Sequence, residues 1–374
     1  MEHRRKEKKT DMNRQHWKRD YGILWAGQAI SVLTSSILQM ALIWHLTAVT
    51  QSAAVLSMAS LAGFLPNAVL GMAAGTLADR ISRKAAMIAA DLFIAAVSLV
   101  LVFVTLDGTL EIWLILAVLA ARSVGTAFHT PAISATTPLL VPAEELTRCA
   151  GYTHSLQTVG FIAGTAIASV LYPIWSLSSL VALDVAGAVA ACAAVAVIRI
   201  PGVERRETAA KPDFLREMKE GYVVLKQQKG LYTILWTAAI FMILYSPVNA
   251  LFPLMSLDHF GGTTVHASAA EIAFAAACAV MGFSVPLYNA PTTALYQERI
   301  APEYLGRVFG LYGSVCSMAM PIGLVISGLF ADRVGTPRWF VITGALLVML
   351  AVWMYLMPSI RNLDRQQVEQ TGEM

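Results

Sequence analysis

Two charged side chains lie deep inside long apolar runs of this sequence. Arg122 falls within the run 110–133, and Asp184 lies near the middle of the run 176–199. A charged group at such depth in a membrane helix is costly, so it normally faces a cavity or a partner and is a functional candidate. A carboxyl group at Asp184 can also carry a proton. A buried structural pairing is the alternative for Arg122.

Uncharged polar residues recur at helical spacing in the same kind of run. Side chains three, four or seven residues apart share one face of a helix, and in lipid such a face must contact protein or water. Hydrogen bonding between helices is the alternative use of these groups. The polar faces comprise Gln28, Ser31, Ser35 and Gln39 in the first run, Thr126 and His129 beside Arg122, and Tyr245 with Asn249. Asn289 and Tyr288, in the run 268–291, are further candidates.

Several other kinds of chemistry lack the residues that they need. No G-x-x-x-x-G-K-[ST] phosphate loop occurs, so ATP is not the direct energy source. No nucleophile, histidine and acid stand in a recognisable arrangement. The four cysteines, Cys149, Cys192, Cys278 and Cys316, are isolated and have no metal-site spacing. We therefore expect a protein that is not an enzyme, binds no metal and needs no cofactor.

Membrane helices are the elements that must position these residues. The chain is 57% hydrophobic and 14% charged, with a mean hydropathy of +0.61, far from the composition of a soluble domain. Its apolar runs are long enough to span a bilayer and do not alternate as barrel strands do. The predicted fold class is an all-α polytopic membrane protein with ten spans: 22–48, 53–78, 85–105, 110–133, 147–171, 176–199, 231–256, 268–291, 304–331 and 337–358.

The distribution of basic residues predicts the orientation in the membrane. With the N-terminus inside, 24 of the 27 Lys and Arg residues fall on the inner side, so both termini are expected in the cytoplasm. Between the sixth and seventh spans, 214–225 has one apolar face, which favours an amphipathic helix at the bilayer surface or a solvated linker helix. The predicted organisation is a basic arm (1–20), a six-helix half (21–199), a central loop (200–230), an incomplete four-helix half (231–358) and a tail (359–374).

A repeat within the sequence is about fifty residues short. The YGILW segment at 21–25 recurs as YTILW at 232–236, an offset of 211. Farther along, Pro142 and Pro302 are related by an offset of only 160. This pattern predicts a duplicated helical bundle whose second half has lost about fifty residues relative to the first.

Four segments resemble a known family. The segment GTLADRISRK, joining the second and third spans, resembles the G-x-L-A-D-R-x-G-R-[KR] loop of the major facilitator superfamily, with Ser82 where Gly is usual. The segments 281–291, 302–310 and 317–323 are similar to the macrolide-efflux branch of drug exporters, which includes siderophore-exporter relatives. The resemblance covers about 20–363, and its loop motif comprises Gly75, Asp79, Arg80, Arg83 and Lys84.

This resemblance implies twelve helices in two halves, with substrate bound between them near the midplane. Here the eighth to tenth helices are replaced by one hybrid span, 268–291. Arg122 resembles the fourth-helix arginine of proton-coupled exporters, so Arg122 and Asp184 become candidates for proton coupling. The family's first helix borders the cavity, so its polar residues Gln28, Ser31, Ser35 and Gln39 are substrate candidates. The polar residues of the other spans are added to them as candidates: Thr126, His129, Tyr245, Asn249 and Asn289.

Two further features bear on helix packing. Asp91 lies near Arg83 and Lys84 in sequence, which predicts a structural ion pair with them. The pair Gly160 and Gly164 allows close helix packing, and it resembles a degenerate form of the family's antiporter motif without its proline.

The predicted function is secondary active efflux of amphipathic, macrolide-like compounds by alternating access, coupled to protons. The partners are then a small organic substrate, protons and membrane lipid, with no nucleic acid, for a monomer in the plasma membrane. Two alternatives remain open: a transport-deficient remnant, because the second half is short, and a siderophore or metabolite exporter.

Overall fold

Every regular element in the described residues is an α-helix. The computed structural model describes residues 2–78, 82–105, 111–142, 145–200, 214–260, 276, 280, 288–289 and 291–360, with side chains given for most of them. The helices are α1 (Glu2–Thr50), α2 (Ala53–Ala78), α3 (Arg83–Thr105), α4 (Ile112–Leu140), α5 (Leu146–Leu171), α6 (Leu177–Val197), α7 (Phe214–Gln227), α8 (Lys229–Phe260), α9 (the described stretch 291–299), α10 (Pro302–Val334) and α11 (Thr336–Leu356).

The helices confirm the predicted fold class. In the described residues, nine helices are long and apolar enough to cross a membrane, and each corresponds to one predicted span. The remaining predicted span, 268–291, lies almost entirely outside the described residues. A bilayer offers no hydrogen bonds to the backbone, so continuous helices are the form in which such apolar runs can cross it.

Helix α4 continues seven residues beyond its predicted end at 133. It contains Pro131 and Pro138, each of which lacks the backbone N–H that an interior helix position would donate. Threonine hydroxyls on this stretch bond to carbonyl groups one turn back: Thr136 Oγ1 donates to Ala132 O at 2.7 Å. The prolines therefore modify the helix without ending it, as membrane helices tolerate.

The chain divides by its internal contacts into two compact units. Unit 1 comprises Met1–Thr50 and Met58–Arg205, and unit 2 comprises Gln51–Ser57 and Arg206–Met374. In unit 1, α1 packs against α5 and α6, and α3 packs against α4 and α6.

Glycines set the close helix contacts of unit 1. A Cβ atom on Gly160 would lie 2.7 Å from Val32 Cγ1, and one on Gly164 would lie 2.5 Å from Ser36 Cβ. These distances leave no room for a side chain, so the pair brings α5 directly onto α1. The predicted packing role of the two glycines is confirmed.

A lysine closes the end of α6. Lys84 Nζ donates to the carbonyl oxygens of Ala196 at 2.6 Å and Ile198 at 3.0 Å. The last carbonyls of a helix have no partner within the helix and carry partial negative charge, so a cation there satisfies both needs. Lys84 thereby fixes the start of α3 to the end of α6.

In unit 2, α8 packs against α10 and α11, and α7 packs against α10. Gly323 allows the close approach of α10 to α8, because a Cβ atom there would collide with the carbonyl oxygen of Ile243. The buried Tyr296 of α9 donates its hydroxyl hydrogen to Leu231 O at 2.9 Å. This bond holds α9 against the start of α8.

A carboxylate in unit 2 caps the start of α2. Asp332, near the end of α10, accepts hydrogen bonds from the backbone N–H groups of Ala53 and Ala54, at 2.5 and 3.1 Å, and from the Ser52 hydroxyl at 2.8 Å. The first N–H groups of a helix lack partners within it, and an anion there is favoured by the helix dipole.

Helix α7 is not a solvated linker. Its Leu225 is fully buried in an apolar cluster to which Met218 and Tyr222 also contribute. Gly221 lies so close to α10 that a Cβ atom would be 2.8 Å from Arg307 O. In its described part, from Met218 to Leu225, the predicted apolar face of α7 therefore packs against α10, so the solvated-linker alternative does not describe this part.

Candidate functional site

The two charged residues singled out by sequence form one buried ion pair in unit 1. Arg122 Nη1 of α4 lies 2.5 Å from Asp184 Oδ2 of α6, and their side chains are 9% and 1% exposed. The sequence predicted both residues as separate candidates, and the structure brings them together. A charge this deeply buried needs a partner, because an isolated ion in a low-dielectric medium is very costly.

Two serine hydroxyls complete the network around the Asp184 carboxylate. Ser35 Oγ of α1 donates to Asp184 Oδ1 at 2.7 Å. Ser98 Oγ of α3 lies 3.1 Å from Asp184 Oδ2 and also accepts a hydrogen bond from Arg122 Nη1. The Ser98 hydroxyl also lies 2.9 Å from Ile94 O, so its one proton has two acceptors within reach. Four helices thus contribute to a single polar network.

Sequence reasoning missed Ser98. A serine in an apolar helix is a common, weak signal, and only its position separates this one from its neighbours. Ser98 lies seven residues after Asp91, which places both side chains on one face of α3. That spacing, combined with the charge at Asp91, could have identified it.

A small cavity adjoins the ion pair. Its volume is about 80 Å³, enough for a few water molecules but well below the roughly 300–1,000 Å³ typical of drug-sized sites. It brings together four of the predicted site residues. Its lining consists of Ser35, Gln39, Gly63, Ile94, Leu119, Arg122, Ser123 and Thr126.

The predicted polar stripe on α1 divides into two parts. Gln28 and Ser31 are buried, and the Gln28 amide has no hydrogen-bond partner among the described residues. Ser35 and Gln39 reach the cavity one and two turns farther along. The stripe therefore runs from the packed interior of unit 1 to the water-sized space beside Arg122.

A second acid lies near the first pair. Asp91 of α3 is 4% exposed, and its Oδ1 lies 3.2 Å from Nε2 of His129 on α4. Asp91 was expected to pair with Arg83 and Lys84. The structure assigns it a different partner, because Lys84 reaches the carbonyls at the end of α6. His129 lies seven residues, two helical turns, after Arg122 on the same face.

The other predicted residues fall elsewhere. In unit 2, Tyr245 stacks on Phe241 with ring centroids 5.2 Å apart, and Asn249 and Asn289 are exposed. In the loop motif, Gly75 lies within α2, and Arg83 and Lys84 begin α3. Asp79 and Arg80 lie outside the described residues. In the part of the chain that the structure describes, no group of three His, Cys, Asp or Glu side chains could hold a metal ion.

Comparisons with known proteins identify relatives along most of the chain. The family model described as "Transmembrane secretion effector" matches residues 17–282. Macrolide efflux protein A of Streptococcus pyogenes is 47% identical over 398 residues, covering 93% of this chain and 98% of that protein. Macrolide efflux protein A of Enterococcus faecalis is 46% identical over 322 residues, covering 73% and 99%.

The same alignments bear on the shortened repeat. An alignment of 398 residues that covers 93% of this 374-residue chain includes about 348 of its residues, so about fifty aligned positions have no residue here. The alignment with the Enterococcus faecalis relative has a similar number of positions with no residue in this chain. This number agrees with the shortfall of about fifty residues predicted from the repeat, and its position in the second half stays a prediction.

A solved structure supports the fold alone. The crystal structure of a bacterial homologue of the human lysosomal transporter Spinster superposes with a TM-score of 0.50 at 12% identity, covering 91% of this chain and 80% of that one. That fold, the family match and the near-complete alignment with the Streptococcus pyogenes relative agree. The chain belongs to the transmembrane secretion effector family of the major facilitator superfamily, a family of multi-pass membrane transporters rather than enzymes.

Proposed function

We propose that this chain exports amphipathic, macrolide-like compounds by secondary active transport. The observation that carries the proposal is its 47% identity to macrolide efflux protein A of Streptococcus pyogenes over 93% of this chain and 98% of that one. The apolar composition and the family support transport across a membrane. Substrate contacts are then assigned to the polar residues on α1, α4, α8 and the end of the hybrid span: Gln28, Ser31, Ser35, Gln39, Thr126, His129, Tyr245, Asn249 and Asn289.

Proton coupling is assigned to the Arg122–Asp184 pair. A proton bound to Asp184 removes the negative charge that holds Arg122, which weakens the attraction between α4 and α6. The hydroxyls of Ser35 and Ser98 remain as hydrogen-bond partners in that state. Protonation is thereby linked to the arrangement of four helices, as an exchange of proton for substrate requires.

The free energy that a pH gradient supplies per proton can be compared with the cost of separating the Arg122–Asp184 pair. Leaving one member of a buried ion pair uncompensated costs about 3–5 kcal/mol, whereas each pH unit of a gradient supplies about 1.4 kcal/mol. A gradient of one unit is therefore smaller than the cost of opening the pair. Substrate binding, the serine hydroxyls and the transmembrane potential, which supplies about 2.3 kcal/mol per charge per 100 mV, contribute the difference.

The remaining organisation completes the proposal. Both termini lie in the cytoplasm, the protein is a monomer in the plasma membrane, and the halves 21–199 and 231–358 move against each other by alternating access. The loop of Gly75, Asp79, Arg80, Arg83 and Lys84 contributes to that movement, and Lys84 supports this by joining α3 to α6.

A transport-deficient remnant is the second candidate. The specific observation in its favour is that about fifty positions of the aligned relative have no residue in this chain. If those residues form part of the cavity wall, the chain folds in the membrane without moving substrate.

Drug accumulation separates the two candidates. Cells lacking their own efflux pumps would express this chain, or the same chain with the missing segment restored from the Streptococcus pyogenes relative. We expect lower macrolide accumulation with either version than with empty vector, and a rise when a protonophore collapses the gradient. Accumulation equal to empty vector for this chain, but reduced for the restored one, would establish the remnant.

The coupling assignment needs its own control. Arg122→Ala in reconstituted vesicles is expected to abolish substrate flux driven by an imposed pH gradient. Arg338→Ala, a change of the same type in α11 of unit 2, is expected to leave that flux intact. Equal flux in the Arg122 variant and the parent chain would remove Arg122 from the coupling mechanism.

A further inference from the structure

We propose that a cavity at the start of α1 and α5 binds the phosphate group of an anionic phospholipid. This basic cavity has a volume of about 280 Å³ and is distinct from the ion-pair site. The proposal does not depend on the transported substrate. The cavity is lined by Trp17, Lys18, Tyr21, Glu145, Arg148, Cys149 and Tyr152.

The cavity lies at the depth of lipid headgroups. Trp17 and Lys18 lie just before the predicted span 22–48 of α1, and Arg148 lies at the beginning of the predicted span 147–171 of α5. Trp and Tyr are the aromatic residues enriched at membrane–water boundaries, and this cavity has Trp17 and Tyr21 from α1 and Tyr152 from α5. A ligand that fits here must itself reside at the boundary.

Two cations from different helices line the cavity. Arg148 of α5 has a side chain that is 67% exposed, and its Nε donates to the Tyr152 hydroxyl at 2.8 Å. Lys18 of α1 lies with Nζ 5.7 Å from the centre of the Trp17 ring. A guanidinium has five donors in a planar fork that matches phosphate oxygens, so the bond to Tyr152 orients Arg148 without using up its donors.

The start of α5 adds to the positive potential. Glu145 occupies the N-cap position, but its side chain accepts no hydrogen bond from the first backbone N–H groups. Its Oε2 instead lies 3.7 Å from Arg148 Nη1. Arg148 lies in the first turn of α5, at the positive end of the helix dipole, where an anion is favoured.

The floor of the cavity is rigid. Tyr21 is buried and donates its hydroxyl hydrogen to Cys149 O at 2.9 Å, and Trp25 Nε1 donates to Tyr152 O at 3.3 Å. These two bonds join α1 to α5 one turn apart. A preformed cavity binds its ligand without a further cost of ordering.

Charge counting favours an anionic lipid over a zwitterionic one. Lys18, Arg148 and Glu145 together carry a net charge of one positive unit, which matches a single phosphodiester. If the lipid were zwitterionic, Glu145 would pair with its ammonium group. In the anionic case, Glu145 competes with the phosphate for Arg148.

Thermal unfolding and native mass spectrometry of the purified chain test the proposal. Phosphatidylglycerol, phosphatidylethanolamine, phosphatidylcholine and inorganic phosphate are added separately to the protein in detergent. We expect phosphatidylglycerol to raise Tm and to remain bound, and the other three to do neither. Arg148→Gln is expected to weaken phosphatidylglycerol binding by about tenfold, since a charge-assisted hydrogen bond is lost.

Two further variants sharpen the result. Arg307→Gln is the control, because Arg307 lies near the start of α10 in unit 2, outside the cavity, and pairs with Glu220 at 3.0 Å; binding should not change. Glu145→Gln should tighten binding by removing the competitor, and Lys18→Gln should weaken it. A preference for phosphatidylethanolamine, an equal effect of inorganic phosphate, or weaker binding in Glu145→Gln would each overturn the proposal.

Discussion

Unit 1 and unit 2 bury different kinds of polar side chain. Unit 1 buries charged groups, namely Asp91, Arg122 and Asp184, and pairs them across helices. In the described part of unit 2, the buried polar side chains are serine and threonine hydroxyls: Ser57, Thr237, Ser246, Ser327, Thr336 and Thr343.

The two chemistries have different consequences. A hydroxyl can be satisfied by a nearby carbonyl, as Ser246 Oγ is by Met320 O at 3.0 Å, and its loss is inexpensive. When one member of a buried ion pair is neutralised, the other charge is left buried without a counter-charge, which is costly. In the proposed mechanism, unit 1 contains the groups that respond to protons, while the described part of unit 2 uses buried polar groups for packing.

The largest effect should come from breaking the ion pair. Asp184→Ala leaves Arg122 buried without a counter-charge, so we expect a loss of about 3–5 kcal/mol in the free energy of unfolding. Denaturant titration of the purified protein in detergent measures it. A loss below about 1 kcal/mol, the typical worth of an exposed pair, would show that water reaches Arg122 and would remove the contrast between the units.

A double variant separates stability from coupling. Arg122→Met combined with Asp184→Leu replaces the pair by apolar side chains of similar size, which is often neutral or stabilising. We expect this variant to recover most of the stability lost in Asp184→Ala but to show no flux driven by a pH gradient. Recovery of both properties would mean that the pair is only structural.

Replacing a glycine at a close helix contact by alanine should destabilise unit 1 and unit 2 by similar amounts. Gly187→Ala would force a methyl group into Thr34 of α1, and Gly323→Ala would force one into the Ile243 carbonyl of α8. Overpacking of this kind costs about 1–3 kcal/mol, measured as a lower Tm. Gly344→Ala is the control, because a Cβ atom there meets nothing within 4 Å. Losses confined to one unit would show that the units also differ in packing.

The smallest effect is expected at the carboxylate of unit 2. Asp332 is exposed and caps α2, so Asp332→Ala should cost about 1 kcal/mol, as loss of a helix cap does. The same denaturant titration compares it directly with Asp184→Ala. If both changes cost the same, burial does not determine what a carboxylate contributes here.

Sequence reasoning located the helices and the charged residues but not their partners. Arg122 and Asp184 were identifiable because charges within apolar runs are rare and costly. Their pairing was not, since 62 residues separate them and helix periodicity says nothing about which helices are neighbours. The same limit explains Asp91, which was matched to bases near it in sequence and instead faces His129 across a helix interface.

The end of α4 and the basic cavity could not be predicted from the sequence either. The fourth span was predicted to end at 133, but α4 continues to Leu140 with Pro131 and Pro138 inside it, as membrane helices tolerate. The basic cavity depends on Lys18 and Arg148 meeting across two helices. In sequence, each is an ordinary basic residue near the end of a span.

The ion-pair network also constrains how the protein is made. The chain grows from its N-terminus, so Arg122 is synthesised 62 residues before Asp184. During that interval a helix centred on an arginine must insert at an estimated cost of about 2.5–3.5 kcal/mol. Among the side chains that the described residues place against Arg122, Ser98 on the preceding helix is already available at that stage. Membrane insertion of α4 is therefore less favourable until α6 is inserted and Asp184 pairs with Arg122.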